Sequence, residues 1–252
     1  MFQFAIKTLG AVVVLSSVAF AADDKALELI RKLEKNSRGE TFSGDLAMTV
    51  TQRGQTRKMG IRFWSRGRED ALIRILEPAR DKGTGNLRIK TDLWQYLPRV
   101  NKTIKVPSSM LFQSWMGSDF SNDDLMKSSS LERDYDHKFI AEEKVGNQMA
   151  AKIESIPKKD AKIVWGKVIL WVSPKEGALV QQEFYTEAGK LVKKLRGSDP
   201  KTFGAYTIPT KLEMQDLSRE QSTTEIIYSK VEFDKKLPDS MFTVKELEKA
   251  LR

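Results

Sequence analysis

The 252-residue chain has no cysteine, one histidine, eight prolines and no apolar run long enough to span a bilayer. Without cysteine there is no disulfide, no thiol nucleophile and no lipid-modified N-terminus. With His137 as the only imidazole, a histidine-based metal site would need carboxylates for every other ligand. Asp134 and Asp136 precede it, but in a strand they face one way and the imidazole the other. No G-x-S-x-G elbow, phosphate-cradling glycine loop or H-E-x-x-H pair occurs. Asp119, Asp123 and Asp124 read more simply as helix caps than as a metal cluster. No enzyme, metal or other cofactor is expected, and hydrolysis by paired carboxylates is the one catalytic reading left open.

What the N-terminus does contain is the pattern of an export signal. Lys7 supplies positive charge, Leu9 to Val18 is apolar, and Ala19-Phe20-Ala21 offers small residues where a signal peptidase reads. The run is about ten residues, well short of the roughly 20 a membrane anchor needs. Residues 1–21 are therefore expected to be a signal peptide and residues 22–252 a single domain in the periplasm, soluble and not lipidated. That length suffices for one real core. The net charge is +9, and it is uneven. From Arg53 to Lys105, fourteen Lys and Arg stand against five Asp and Glu. An exported protein rarely meets nucleic acid, so anionic head groups or an acidic partner are better matches, and solvated strand faces explain the excess equally well.

A helix is expected first, capped by Asp23 or Asp24, carrying Ala26, Leu27, Ile30 and Leu33 on one face and ending at Asn36 or Gly39. Short strands follow, at Gly44–Arg53, Arg57–Ser65, Asp70–Leu76, Leu87–Lys90, Leu93–Leu97 and Lys102–Val106. After an interruption they resume at Glu132–Ile140, Ala150–Ile156, Lys167–Ser173, Leu179–Thr186, Leu191–Gly197, Ile208–Gln215 and Thr223–Phe233. Regular hairpins of this kind make a meander that curls into a barrel or half barrel.

Residues Asp92 to Met126 stand out because they change from strand to helix spacing while staying apolar. Trp94 and Tyr96 lie two apart and share a sheet face. Leu111, Phe112, Trp115, Met116 and Phe120 recur at three- and four-residue intervals, the period of an amphipathic helix, which Gly117 would interrupt. Ser121 with Asp124 offers an N-cap and a capping-box-like partner. Sheet aromatics followed by an interrupted aromatic helix fit a trough with a lid. They also fit an ordinary core.

Three motifs in order resemble the LolA-like family of outer-membrane lipoprotein-sorting proteins. They are Leu93-Trp94-Gln95-Tyr96-Leu97-Pro98, Gly117-Ser118-Asp119-Phe120-Ser121 with Asp124-Leu125, and Leu237-Pro238-Asp239-Ser240-Met241-Phe242. The resemblance spans essentially the whole mature chain. It implies a mainly β fold with some α: an incomplete antiparallel β-barrel whose helices form a lid over a hydrophobic cavity. It further implies a carrier of lipoprotein or another acylated lipid, loaded by an inner-membrane exporter of RND/MMPL or ABC type and unloaded at an outer-membrane acceptor. On this reading Trp94, Tyr96, Leu111, Phe112, Trp115, Met116 and Phe120 line the cavity or lid, and Phe112, Trp115 and Phe120 fill the empty trough. Arg99, Lys102 and Lys105 would meet a head group or partner. Such a carrier answers a physical need, since each methylene exposed to water costs about 0.8 kcal/mol. The alternative is a lipid-sensing module of the same fold that acts through a protein partner.

Overall fold

The computed structural model describes residues 13–126, 130–161 and 163–249. Lys7 and the start of the apolar run read as an export signal lie outside the described residues. Helix α1 (Val13–Asn36) passes straight through Asp23 and Asp24, so neither caps its start: upstream residues continue the helix. Its end matches the expectation, with Gly39 at φ +57° just beyond Asn36. Ala26, Leu29, Ile30 and Leu33 are its buried stripe, Leu29 taking the place expected for Leu27.

Alternating apolar residues then build thirteen strands, all paired antiparallel. They are β1 (Thr41–Gln52), β2 (Gln55–Arg66), β3 (Asp70–Glu77), β4 (Gly85–Ile89), β5 (Asp92–Leu97) and β6 (Lys102–Lys105), then β7 (Tyr135–Val145), β8 (Gln148–Pro157), β9 (Lys167–Val172), β10 (Leu179–Tyr185), β11 (Leu191–Phe203), β12 (Tyr206–Asp216) and β13 (Ser222–Phe233). Their order across the sheet is β6-β5-β4-β3-β2-β1-β13-β12-β11-β10-β9-β8-β7. The sheet is an open half barrel, with β6 and β7 as its two edges.

That order fixes where the cover must go. The chain leaves β6 at one edge and enters β7 at the other, so the connection between them crosses the sheet. Along it lie the short helices α2 (Asn122–Met126) and α3 (Leu131–Asp134). It crosses the concave face, beside α1. Met48, Val50, Met59, Ile61, Ile75, Ile153, Leu170, Met214 and Ile226 line that face and pack with α1, Trp115 and Phe120 in one core. A smaller core lies on the convex face. There Leu72, Leu87 and Tyr96 pack under the C-terminal segment, through Phe242 and Leu247, the latter in helix α4 (Val244–Leu247).

Candidate functional site

The expected amphipathic helix through residues 111–120 is absent. The apolar spacing instead serves a strap that folds back on itself. Met116 and Gly117 both take the left-handed region, at φ +51° and +72°, which an L-residue such as Met116 rarely adopts. Ser114 and Ser121 bridge across the loop's neck, and the Trp115 N–H donates to the Phe120 carbonyl at 2.8 Å. The pinch sets Trp115 and Phe120 side by side, 2% and 8% exposed, in the concave core. The cap at Ser121 is as anticipated. Its N–H and hydroxyl reach Asp124 Oδ2 at 2.7 and 2.8 Å, while the Asp124 N–H returns to Ser121 Oγ at 3.2 Å.

Polar side chains from the sheet tie this strap down. The Trp115 indole N–H donates to Asn86 Oδ1 at 2.9 Å. Thr224 Oγ1 accepts from the Asp119 N–H at 2.9 Å and donates to Asp119 Oδ2 at 2.7 Å. Arg57 donates to the Met116 carbonyl, and Arg219 to the carbonyls of Gly117, at 3.0 Å, and Ser118. Lys193 Nζ lies 3.1 Å from Asp124 Oδ2. Burial, with Asp124 adding repulsion and Lys193 opposing, holds the Asp123 carboxyl above its ordinary pKa. At the far end Glu34 of α1 receives the Leu131 N–H at 2.8 Å and Ser130 Oγ at 3.1 Å. Arg68 meets the same carboxylate at 3.1 and 2.5 Å. Burial raises the Glu34 pKa, but Arg68, the Leu131 N–H and Ser130 more than offset it, and the net shift is downward.

The residues singled out from sequence fall in three places. Trp115, Met116 and Phe120 belong to the concave core. Leu111 packs with Leu93 and Val106 near the β6 edge. There Leu93, Lys105, Val106 and Leu111 line a cleft of about 340 Å³. Phe112 is 55% exposed, outside the core it was expected to fill. Trp94 and Tyr96 share a face as expected, but it is the convex one, under the C-terminal segment. Register accounts for this: Trp94 pairs with Leu87 of the outer face, whereas Leu93 and Gln95 pair with Arg88 and Asn86 of the inner face. Arg99 and Lys102 are exposed. Lys105 pairs with Asp92 at 2.8 Å and lies 5.8 Å from the Trp94 ring centre. Lys102 and Lys105 sit on an edge strand, where cations discourage pairing with another chain.

His137 is held between Ser155 Oγ, 2.8 Å from Nδ1, and the Leu131 carbonyl, 2.9 Å from Nε2. Burial lowers its pKa. Among the described residues no group of three or more His, Asp or Glu could hold a metal ion, and no helix is long and apolar enough to cross a membrane.

Sequence reasoning missed Asn86, Arg57, Thr224 and Arg219. No signal set them apart in the sequence: Asn86 alternates with Leu87 as a residue on a solvated strand face does. It also missed Arg88, two residues on, which is 3% exposed. Desolvation first, and the like charge of Arg38 second, bring that guanidinium down to about 10.

A family model described as an uncharacterized protein matches residues 67–249. The chain belongs to this family. Solved structures carry the same LolA-like fold. A DUF1329 family protein from Desulfovibrio piger is 24% identical with TM-score 0.82, covering 90% of this chain and 99% of that one. An outer membrane lipoprotein-sorting protein domain from Vibrio parahaemolyticus is 22% identical with TM-score 0.78, covering 90% and 100%. A LolA superfamily protein from Nitrosomonas europaea is 23% identical with TM-score 0.71, covering 86% and 97%. No curated protein matches the chain. At these identities the LolA-like likeness is one of fold.

Proposed function

We propose that the protein carries the acyl chains of a lipoprotein or another lipid on its concave face. The observation behind this reading is the strap: two aromatic side chains occupy an apolar trough, yet the backbone that bears them is held mainly by polar contacts. Lifting the strap exchanges Trp115 and Phe120 for hydrocarbon, and water can satisfy the freed carbonyls. Refilling the trough on release offsets part of the lipid-binding energy, which makes transfer reversible. Trp115, Met116 and Phe120 are the residues that give way. Residues 1–21 direct export, residues 22–252 form the carrier domain, and the cargo passes from an inner-membrane exporter of RND or MMPL type toward the outer membrane. A carrier of this kind binds without catalysing.

Native mass spectrometry of the protein purified from the periplasm, beside Trp115→Ala, tests the proposal. Co-purified acyl lipid on the wild type, changed in amount in the variant, is the expected result. Lipid-free protein that also gains no stability from added lipids would sink it.

A further inference from the structure

Strand β4 has two unlike faces. Its outer side chains, Leu87 and Ile89, pack under the C-terminal segment. Its inner ones, Asn86 and Arg88, are 2% and 3% exposed, and Asn86 Nδ2, Arg88 Nε and Arg88 Nη1 have no hydrogen-bond partner. Side chains two apart on a strand leave the backbone on one side, about 7 Å apart. Asn86 Oδ1 is already taken by the Trp115 indole. What remains is a strip of donors with no acceptor. Arg38, from the turn after α1, adds positive charge; of the carboxylates that oppose it, Asp70 is engaged by Arg66 at 3.1 and 2.7 Å and Glu69 is exposed. Burying a guanidinium two of whose nitrogens meet no acceptor is costly. An oxygen-rich anion is the complement that removes the cost.

The surroundings are largely apolar, with Ser65 and Gln95 the polar neighbours in the same rows. Register places Phe63, Ile73 and Asn86 in one row across the sheet, and Ser65, Ala71, Arg88 and Leu93 in the next. Phe63 belongs to a half-buried ring cluster, 4.8 Å from Phe42 and 5.8 Å from Tyr228 between centres. On the other side Leu93 lines the 340 Å³ cleft at the sheet edge.

We infer that the Asn86–Arg88 strip holds the anionic group of an amphiphile, a carboxylate or phosphate, whose hydrocarbon chain lies in the trough filled by Trp115 and Phe120 in the empty protein. This rests on the carrier reading and adds the class of head group. Asn86 then serves two partners, the strap through Oδ1 and the anion through Nδ2, so the head group binds at the strap's own anchor. Free inorganic phosphate offers the same oxygens without a chain.

Calorimetric titration of the purified protein and of Arg88→Met with oleate, methyl oleate and inorganic phosphate separates these cases. The wild type should bind oleate at least about tenfold more tightly than the ester, the range set by a charge-assisted hydrogen bond or two. Arg88→Met should bind both alike, near the ester's affinity, and should unfold no earlier than the wild type. The oleate-to-ester ratio in the wild type decides the head-group inference even if the variant folds poorly. Equal wild-type affinities, or a preference that survives in Arg88→Met, would overturn it while leaving the carrier reading intact. Phosphate binding without oleate binding makes the strip a small-anion site and overturns both, as does failure of all three probes to bind.

Discussion

The sheet is covered on each face, and the two covers are held by different forces. On the convex side Phe242 and Leu247 lie buried among Leu72, Leu87 and Tyr96. Leu247 fits against Gly85, where an added Cβ would come within 2.7 Å of its Cδ1. Arg74 closes the end by donating to the carbonyls of Lys249, at 2.9 Å, and Glu246. On the concave side two rings enter the core, but Arg57, Arg219 and Thr224 do the tying through hydrogen bonds to the strap. Apolar contacts are lost when a cover lifts into water; hydrogen bonds are replaced by it. The convex cover is thus built to stay, and the concave one to exchange. Trp94 and Tyr96, the most conspicuous aromatic pair in the sequence, sit under the permanent cover.

The sharpest test of this contrast pairs one residue from each cover. Leu247→Ala should cost about 2–5 kcal/mol in urea unfolding and Trp115→Ala about 3–5 kcal/mol. Adding bound lipid should shrink the Trp115 penalty, because the ring is then out of the trough, and leave the Leu247 penalty unchanged. If lipid relieves both equally, the two covers do not differ in kind.

A smaller effect is expected at Glu34, which joins α1 to the far end of the strap. Its folded-state pKa lies below the ordinary 4.5, so its stabilisation is complete above that value and is lost as pH falls through the folded pKa. Glu34→Gln should cost about 2 kcal/mol near neutral pH and flatten the acid limb of a stability–pH profile. An unchanged acid limb would mean that the anchor contributes nothing. The smallest change belongs to Arg219→Ala. Losing that tie should lower stability by about 1 kcal/mol and tighten lipid binding roughly fivefold, since the closed empty state is what it favours. Weaker lipid binding in that variant would assign Arg219 to the cargo rather than to the strap.

Much of the strand order was legible because alternation on β1 and β2 leaves one face apolar, as Leu46, Met48 and Val50 do opposite Ile61 and Met59. The break at Gly117 and the cap at Ser121 were legible because each is a local backbone requirement. Which face of β5 looks inward was not, because Trp94 and Leu93 are both apolar and only the pairing with β4 distinguishes them. Helical periodicity failed over Leu111–Phe120 because a loop pinched at its neck brings residues five apart together as well as a helix brings residues four apart. Asn86 and Arg88 were passed over for a similar reason. Polar residues alternating with Leu87 and Ile89 resemble an ordinary solvated face, and the strap, whose Trp115 indole reaches Asn86, is part of what turns that face into an interior.

The pairing of β1 with β13 has a consequence for how the molecule forms. Residues such as Val50 and Thr224 meet in the middle of the sheet although more than half the chain separates them. The first six strands and the last seven are each a run of local hairpins, but the seam between them has very high contact order. Synthesis therefore yields the first half sheet early and completes the second half, and with it the single sheet, only near the end. Until the final strand is free to pair, β1 remains an open edge, and the trough above it cannot close.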